Sequence, residues 1–266
     1  MADVVLWHFP ISHFNEKVRW ALDWKRIPHA RRVLSLDYLP RALWATGKPT
    51  LPILFLDGKA IGDSTRIIEA LERHQPEPAL YPREEAQLRR ALAIEDFLDE
   101  ELGHPVRTVI LGPRFADDPE MVVGALSTGM SEAARRAMRA GFAAFRPYYK
   151  LRHRINRASI EDAPRKVKAA MDRIAAEIGP SGYLAGDRFS VADLTAASLL
   201  GPIVAPSELQ YQPPASVRES IARVRESFAG HPALEWTAEM FRRHRGTSAE
   251  ESAFRSLQSP PFHKEG

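Results

Sequence analysis

Thr50-Leu51-Pro52-Ile53-Leu54-Phe55-Leu56-Asp57-Gly58-Lys59-Ala60-Ile61-Gly62-Asp63-Ser64 is the stretch on which the reading of this chain turns. Ile53 to Leu56 is an apolar run of strand length, Asp57-Gly58 is a hairpin turn signal, and Lys59 to Ile61 forms the return strand. Asp63-Ser64 then precede Ile67, Ile68 and Leu71, which are spaced as one apolar helix face. Aspartate or serine at a helix start caps free amides. Pro52 stands at the first strand position, where no ladder hydrogen bond is lost.

Upstream, Asp3 to Phe9 reads as a strand, and its nearly continuous apolar run suits burial on both faces. Pro10 breaks it. Phe14, Val18, Ala21 and Leu22 mark a helix that Ile27-Pro28 stops. Arg32 to Leu36 is a second strand, and Leu39 to Thr46 a short helix closed by Gly47-Lys48-Pro49. Strand, helix, strand in this order predicts a parallel pair with a crossover helix. Residues 1–76 therefore read as one α/β domain of order βαβαββα.

Residues 77–82 form a linker in which Pro78 and Pro82, with Pro76 just before, prevent the preceding helix from continuing. Beyond it, residues 83–245 read as a second, all-helical domain. Leu88, Leu92 and Leu98 lie on one helix; Ala134, Met138, Phe142, Phe145 and Tyr149 on another; Val167, Met171, Ile174 and Ile178 on a third. Leu194 to Leu200 is almost wholly apolar, as a central buried helix should be. Val217 to Phe228 and Ala233 to His244 complete the set. The region interrupted by Gly112-Pro113 and Asp118-Pro119 gives no clear assignment, and residues 246–266 read as a loose polar tail.

The chain has 266 residues, 44% of them hydrophobic, and a net charge of +3, enough apolar material for a core and too little charge for a nucleic-acid footprint. Its basic pairs, Arg31-Arg32, Arg89-Arg90 and Arg135-Arg136, read as solvated helix faces. The absence of cysteine excludes disulfides, thiolate metal sites and a cysteine nucleophile. No histidine pair has metal-ligand spacing. The start lacks a basic segment followed by an apolar stretch, and no apolar run would span a bilayer. The expectation is a cytoplasmic protein that binds neither membrane nor nucleic acid. Asp96, Asp99, Glu100 and Glu101 read as a solvated acidic face.

Gly182-Tyr183-Leu184-Ala185-Gly186-Asp187-Arg188-Phe189-Ser190-Val191-Ala192-Asp193 is the most specific stretch of the second half. Ser190 and Asp193 stand as a capping box before an apolar run, with Phe189 and Leu194 placed as a hydrophobic staple.

Both stretches, in this order and on either side of a proline-rich linker, resemble glutathione transferases, over about residues 3–245. The resemblance implies a thioredoxin-like N-terminal domain followed by an all-helical bundle, with a cis peptide bond before Pro52. It implies that Leu51 pairs through its backbone with the cysteinyl part of glutathione, and that Asp63 and Ser64 hold the γ-glutamyl end. Asp63 is one methylene shorter than the usual Glu or Gln. It gives Ser190 and Asp193 a folding role, and Lys48 a weak claim on the glycyl carboxylate.

The family's chemistry needs a thiolate, which a hydrogen-bond donor and a helix N-terminus both stabilise. The donor belongs just after the first strand, at Pro10-Ile11-Ser12-His13-Phe14-Asn15. In redox relatives a Cys-x-x-Cys stands here, and Ser12 and Asn15 occupy its two positions. Ser12 is the candidate activating residue, as in Ser-type members, with His13 and Asn15 next. His8 reads as structural. The expected protein is a homodimeric glutathione transferase acting on a small hydrophobic electrophile. The alternatives are a non-catalytic member of the fold, or a glutathione-dependent isomerase or dehalogenase.

Overall fold

The computed structural model describes residues 4–35 and 37–251. The N-terminal half runs β1 (Val5–His8), α1 (His13–Trp24), β2 (Ala30–Val33), α2 (Tyr38–Thr46), β3 (Ile53–Leu56), β4 (Lys59–Gly62) and α3 (Ser64–His74). The sheet order is β2-β1-β3-β4. β1 and β2 are parallel, with Val5 opposite Ala30, while β1–β3 and β3–β4 are antiparallel. The turn joining β3 to β4 has Asp57 at φ 51° and Gly58 at φ 76°. Positive φ at both central residues is what a tight two-residue hairpin demands. The Leu51–Pro52 bond is cis.

The second strand begins and ends earlier than Arg32 to Leu36. It covers Ala30–Val33, because Ala30 donates to the Val4 carbonyl (2.9 Å) and so opens the parallel ladder at that point. Leu36 lies outside the described residues. One basic pair departs from its reading as a solvated helix face: Arg31 lies on β2, and its buried guanidinium donates to both Asp23 carboxylate oxygens at 2.8 Å.

The C-terminal half comprises α4 (Glu85–Glu101), α5 (Gly103–Leu111), α6 (Arg114–Asp117), α7 (Pro119–Leu126), α8 (Glu132–Arg152), α9 (Arg157–Glu177), α10 (Val191–Val204), α11 (Ala215–Glu226) and α12 (Pro232–His244). The region around Gly112-Pro113 and Asp118-Pro119, unassigned from sequence, forms the end of α5, α6 and α7, while the helix read from Ala134 to Tyr149 is α8. α10 is the axle: nearly every residue is buried, and α1, α4, α5, α11 and α12 pack around it. Its start is fixed by Asp193, which accepts from Ser190 N (2.9 Å), Ser190 Oγ (2.8 Å) and Leu184 N (2.8 Å).

The two halves are joined by buried polar and aromatic contacts. Trp20 of α1 stacks on Phe189 and donates to the His244 carbonyl at 3.0 Å. Arg245 pairs with Glu16 (2.5 Å) and Asp23 (2.9 Å). Lys25 clamps the linker, donating to the carbonyls of Gln75 (2.7 Å) and Pro78 (3.1 Å) and pairing with Glu72. Residues 246–251, the described part of the expected tail, are anchored: Ala249 N donates to Asp23 (2.8 Å) and Glu251 N to the His29 carbonyl (3.0 Å). Among the described residues no helix is long and apolar enough to cross a membrane.

Candidate functional site

A cavity of about 390 Å³ opens between the two halves. Ser12, His13, Asn15, Leu51, Pro52, Asp63 and Ser64 all line it; Lys48 is exposed and does not. The opposite wall comes from α4, α5 and α8, through Asp99, His104, Arg107, Phe145 and Tyr149, with His153 just beyond α8.

The loop from β1 to α1 is fixed from beneath by Arg19. Its guanidinium donates to His8 Nδ1 (2.9 Å), the Phe9 carbonyl (3.2 Å) and the Pro10 carbonyl (2.9 Å), and pairs with Glu16 (2.7 Å). Because arginine can only donate, His8 Nδ1 is an acceptor and the ring is neutral. Burial first, and then Arg19, hold its pKa well below the usual histidine value. His8 is structural, as its strand position suggests.

Ser12 sits at the N-cap position of α1, but its hydroxyl makes no capping hydrogen bond. The hydroxyl is therefore available to the cavity. Asn15 is 1% exposed; its Oδ1 accepts from Phe9 N (3.2 Å), which directs Nδ2 away, buried and without a partner. His13 is buried at 5% exposure, and its Nε2 is also unpartnered among the described residues. Gly103 of α5 brings that helix against the start of α1: an added Cβ would lie 2.3 Å from Phe14 Cζ. This close approach is what buries His13. Burial first, then Arg107 and His104, lower its pKa, so the imidazole is neutral.

At the other end of the cavity Asp63 caps α3, accepting from Thr65 N (3.1 Å) and Arg66 N (3.3 Å), with φ at 80°. Ser64 follows, 7% exposed. Beside them Asp99 accepts from Lys17 (2.8 Å) and Thr65 Oγ1 (3.0 Å) through Oδ2, while Oδ1 is buried and unpartnered. Asp99 is thus part of the site and not a solvated helix face. Sequence reasoning missed it because its partner Lys17 lies on another domain. No group of His, Asp or Glu among the described residues is arranged to hold a metal ion.

The arrangement offers donors at a helix N-terminus on one side, a capped helix start with a free carboxylate oxygen on the other, and an extended backbone edge at Leu51–Pro52 between. Residues 6–79 match the family model "Glutathione S-transferase, N-terminal domain" and residues 157–235 match "Glutathione S-transferase, C-terminal domain". The chain belongs to the glutathione S-transferase family. Among solved structures it resembles a glutathione S-transferase from Methylobacterium radiotolerans in complex with glutathione sulfonate, at 20% identity and TM-score 0.54, covering 89% of this chain and 94% of that one. It also resembles the β-etherase LigF from Sphingobium sp. strain SYK-6 (17%, TM-score 0.58, 89% and 98% covered) and poplar glutathione transferase F1 (16%, TM-score 0.56, 91% and 99% covered). At these identities the likeness is one of fold. No curated protein matches the sequence.

Proposed function

We propose that the protein is a glutathione transferase of the Ser type, with Ser12 as the residue that activates the thiol. The observation that carries this reading is the Ser12 hydroxyl, free of any capping role, at the start of α1 and in the same cavity as the cis Leu51–Pro52 bond and Ser64. Glutathione lies along that edge. Leu51 pairs with its cysteinyl backbone, and the N-terminus of α3 at Asp63 and Ser64 receives the γ-glutamyl carboxylate. Asp99 Oδ1 accepts from the γ-glutamyl ammonium. Lys48, being exposed and outside the cavity, has the weakest role, at the glycyl end.

In the reaction the thiol gives its proton to solvent, and the thiolate accepts a hydrogen bond from Ser12 Oγ. Sulfur then attacks the electrophilic carbon, a carbon–sulfur bond forms, and the leaving group departs with its bonding pair. His13 and Asn15 stand behind Ser12 as further donors. Asn15 Nδ2, buried and unpartnered, gives the second reading its observation: it can share the thiolate with Ser12. Family membership further suggests a homodimer in the cytoplasm, which light scattering and cell fractionation test.

Calorimetric titration of glutathione into the wild type and Ser64→Ala tests the reading. Saturable binding that weakens in the variant is expected. Absence of binding at millimolar glutathione overturns it and favours a non-catalytic member of the fold.

A further inference from the structure

Among the described residues, five ion-paired cations have side chains no more than 2% exposed: Lys17, Arg19, Lys25, Arg31 and Arg245. Each has a carboxylate within 2.8 Å. That is the rule for charges taken out of water. Arg107 breaks it. It lies on α5 in the wall of the cavity, partly buried, and no carboxylate among the described residues lies within ion-pair distance. Among the described residues its hydrogen bonds run from NH1 to His104 Nδ1 (3.2 Å) and His153 Nδ1 (3.0 Å). Both rings must accept at Nδ1, so both are neutral and carry their proton on Nε2. Nε and NH2 of Arg107 have no partner among the described residues.

The cluster is therefore a set of donors around an unneutralised guanidinium. Arg152, also lining the cavity, adds a second positive charge without an ion-pair partner among the described residues. His13, 5% exposed with Nε2 unpartnered, lines the same space and is near enough for Arg107 to act on its charge. The acids of the cavity do not cancel this field: Asp99 is engaged by Lys17, Asp63 is engaged by the Thr65 and Arg66 amides at the start of α3, and Glu100 is exposed on α4. Aromatic rings flank the cluster, with Tyr149 tilted against His153 at 4.3 Å between centroids and Phe145 5.7 Å from Tyr149. Arginine presents a planar fork that matches a carboxylate.

We propose that the second substrate is an aromatic electrophile carrying a carboxylate, and that Arg107 receives that carboxylate with Arg152 at its flank. The inference rests on the glutathione-transferase reading for the identity of the co-substrate, but the anion site stands on its own geometry. The ring lies against the Phe145 and Tyr149 side chains of the cavity wall, and the anion fixes which ring carbon faces the thiolate.

The test compares two product analogues that differ in charge and not in shape, S-(para-carboxybenzyl)glutathione and S-(para-carbamoylbenzyl)glutathione, by calorimetry. The wild type should prefer the carboxylate by about tenfold or more, the scale of a charge-assisted hydrogen bond. Arg107→Gln should abolish the preference, Arg107→Lys should keep part of it, and Arg152→Gln, on an exposed side chain, should reduce it. Unchanged affinity of Arg107→Gln for free glutathione shows that the variant is folded. Equal binding of the two conjugates by the wild type overturns the inference and leaves the transferase reading intact. So does an equal loss of free glutathione in Arg107→Gln, which makes Arg107 a holder of glutathione itself. If neither glutathione nor the conjugates bind, the transferase reading fails, and naphthoate against naphthamide decides the anion site: preference for naphthoate, lost in Arg107→Gln, upholds it, and no preference overturns it.

Discussion

Lys17, on the first helix of the α/β domain, donates to Asp99, on the first helix of the helical domain, across 2.8 Å. Glu95 lies 2.8 Å from the same ammonium, and Thr65 Oγ1, with one proton to donate, lies 3.1 Å from Glu95 and 3.0 Å from Asp99. The lysine is wholly buried; burial lowers its pKa, but Asp99 and Glu95 more than offset that and raise it. Lys17→Met should cost about 3–5 kcal/mol, measured by urea unfolding, because it strands two carboxylates together. Adding Glu95→Gln and Asp99→Asn should recover much of the loss, since the damage lies in the uncompensated charge.

If Ser12 holds the thiolate, Ser12→Ala should raise the apparent pKa of bound glutathione by about one to two units, the equivalent of one charge-assisted hydrogen bond. The thiolate absorbance followed against pH reads this directly. Affinity for glutathione should change little. A thiol pKa identical in wild type and variant would move the role to Asn15, and Asn15→Ala would then show the shift.

Gly103→Ala places a methyl 2.3 Å from the Phe14 ring, which also lines the cavity. Overpacking of this kind costs about 1–3 kcal/mol. The ring is the part free to give, so the variant should melt lower and bind conjugates more weakly, with free glutathione less affected. Differential scanning calorimetry and the titrations above measure the two effects.

Stability should fall as pH drops from about 6.5 towards 4. Burial, aided by neighbouring arginines, holds His8 and His13 well below 6.5, and His29, His104 and His244 at about 4. In that range the unfolded chain takes up protons that the folded chain refuses. Each of the three most buried, His8, His13 and His29, contributes up to roughly 1.4 kcal/mol per pH unit. Asp193 works the other way: burial pushes its pKa up to about 6, so folding takes up a proton there and offsets one histidine. Below about 4 the paired carboxylates add to the loss, because Arg31 and Arg245 hold Asp23 low against the effect of burial. A urea midpoint at pH 5 equal to that at pH 7 would contradict this.

Much of the fold was legible because its signals are local. The hairpin at Asp57-Gly58, the capping box of Ser190 and Asp193, and the 3.6-residue spacing of Met138, Phe142 and Tyr149 each reside within one turn or one helix. Helices α5 to α7 were not legible: Pro113 and Pro119 read as interruptions, whereas each stands at a helix start, where a missing amide costs nothing. The burial of His13 was not legible, because Gly103 of α5 packs against the start of α1 in a contact between domains that neither segment announces.

The sequence by itself determined the two domains, the family and the row of residues from Ser12 to Ser64 that faces the cavity, because periodicity, turns and caps are short-range chemistry written in neighbouring residues. Only the tertiary structure decided which charges are neutralised. Arg31 looked solvated and is paired, Asp99 looked solvated and is engaged, and Arg107 meets His153 across 46 positions of chain with no acid beside it. Coulombic partnership is set by distance in space, and packing brings such residues together without leaving a pattern along the chain.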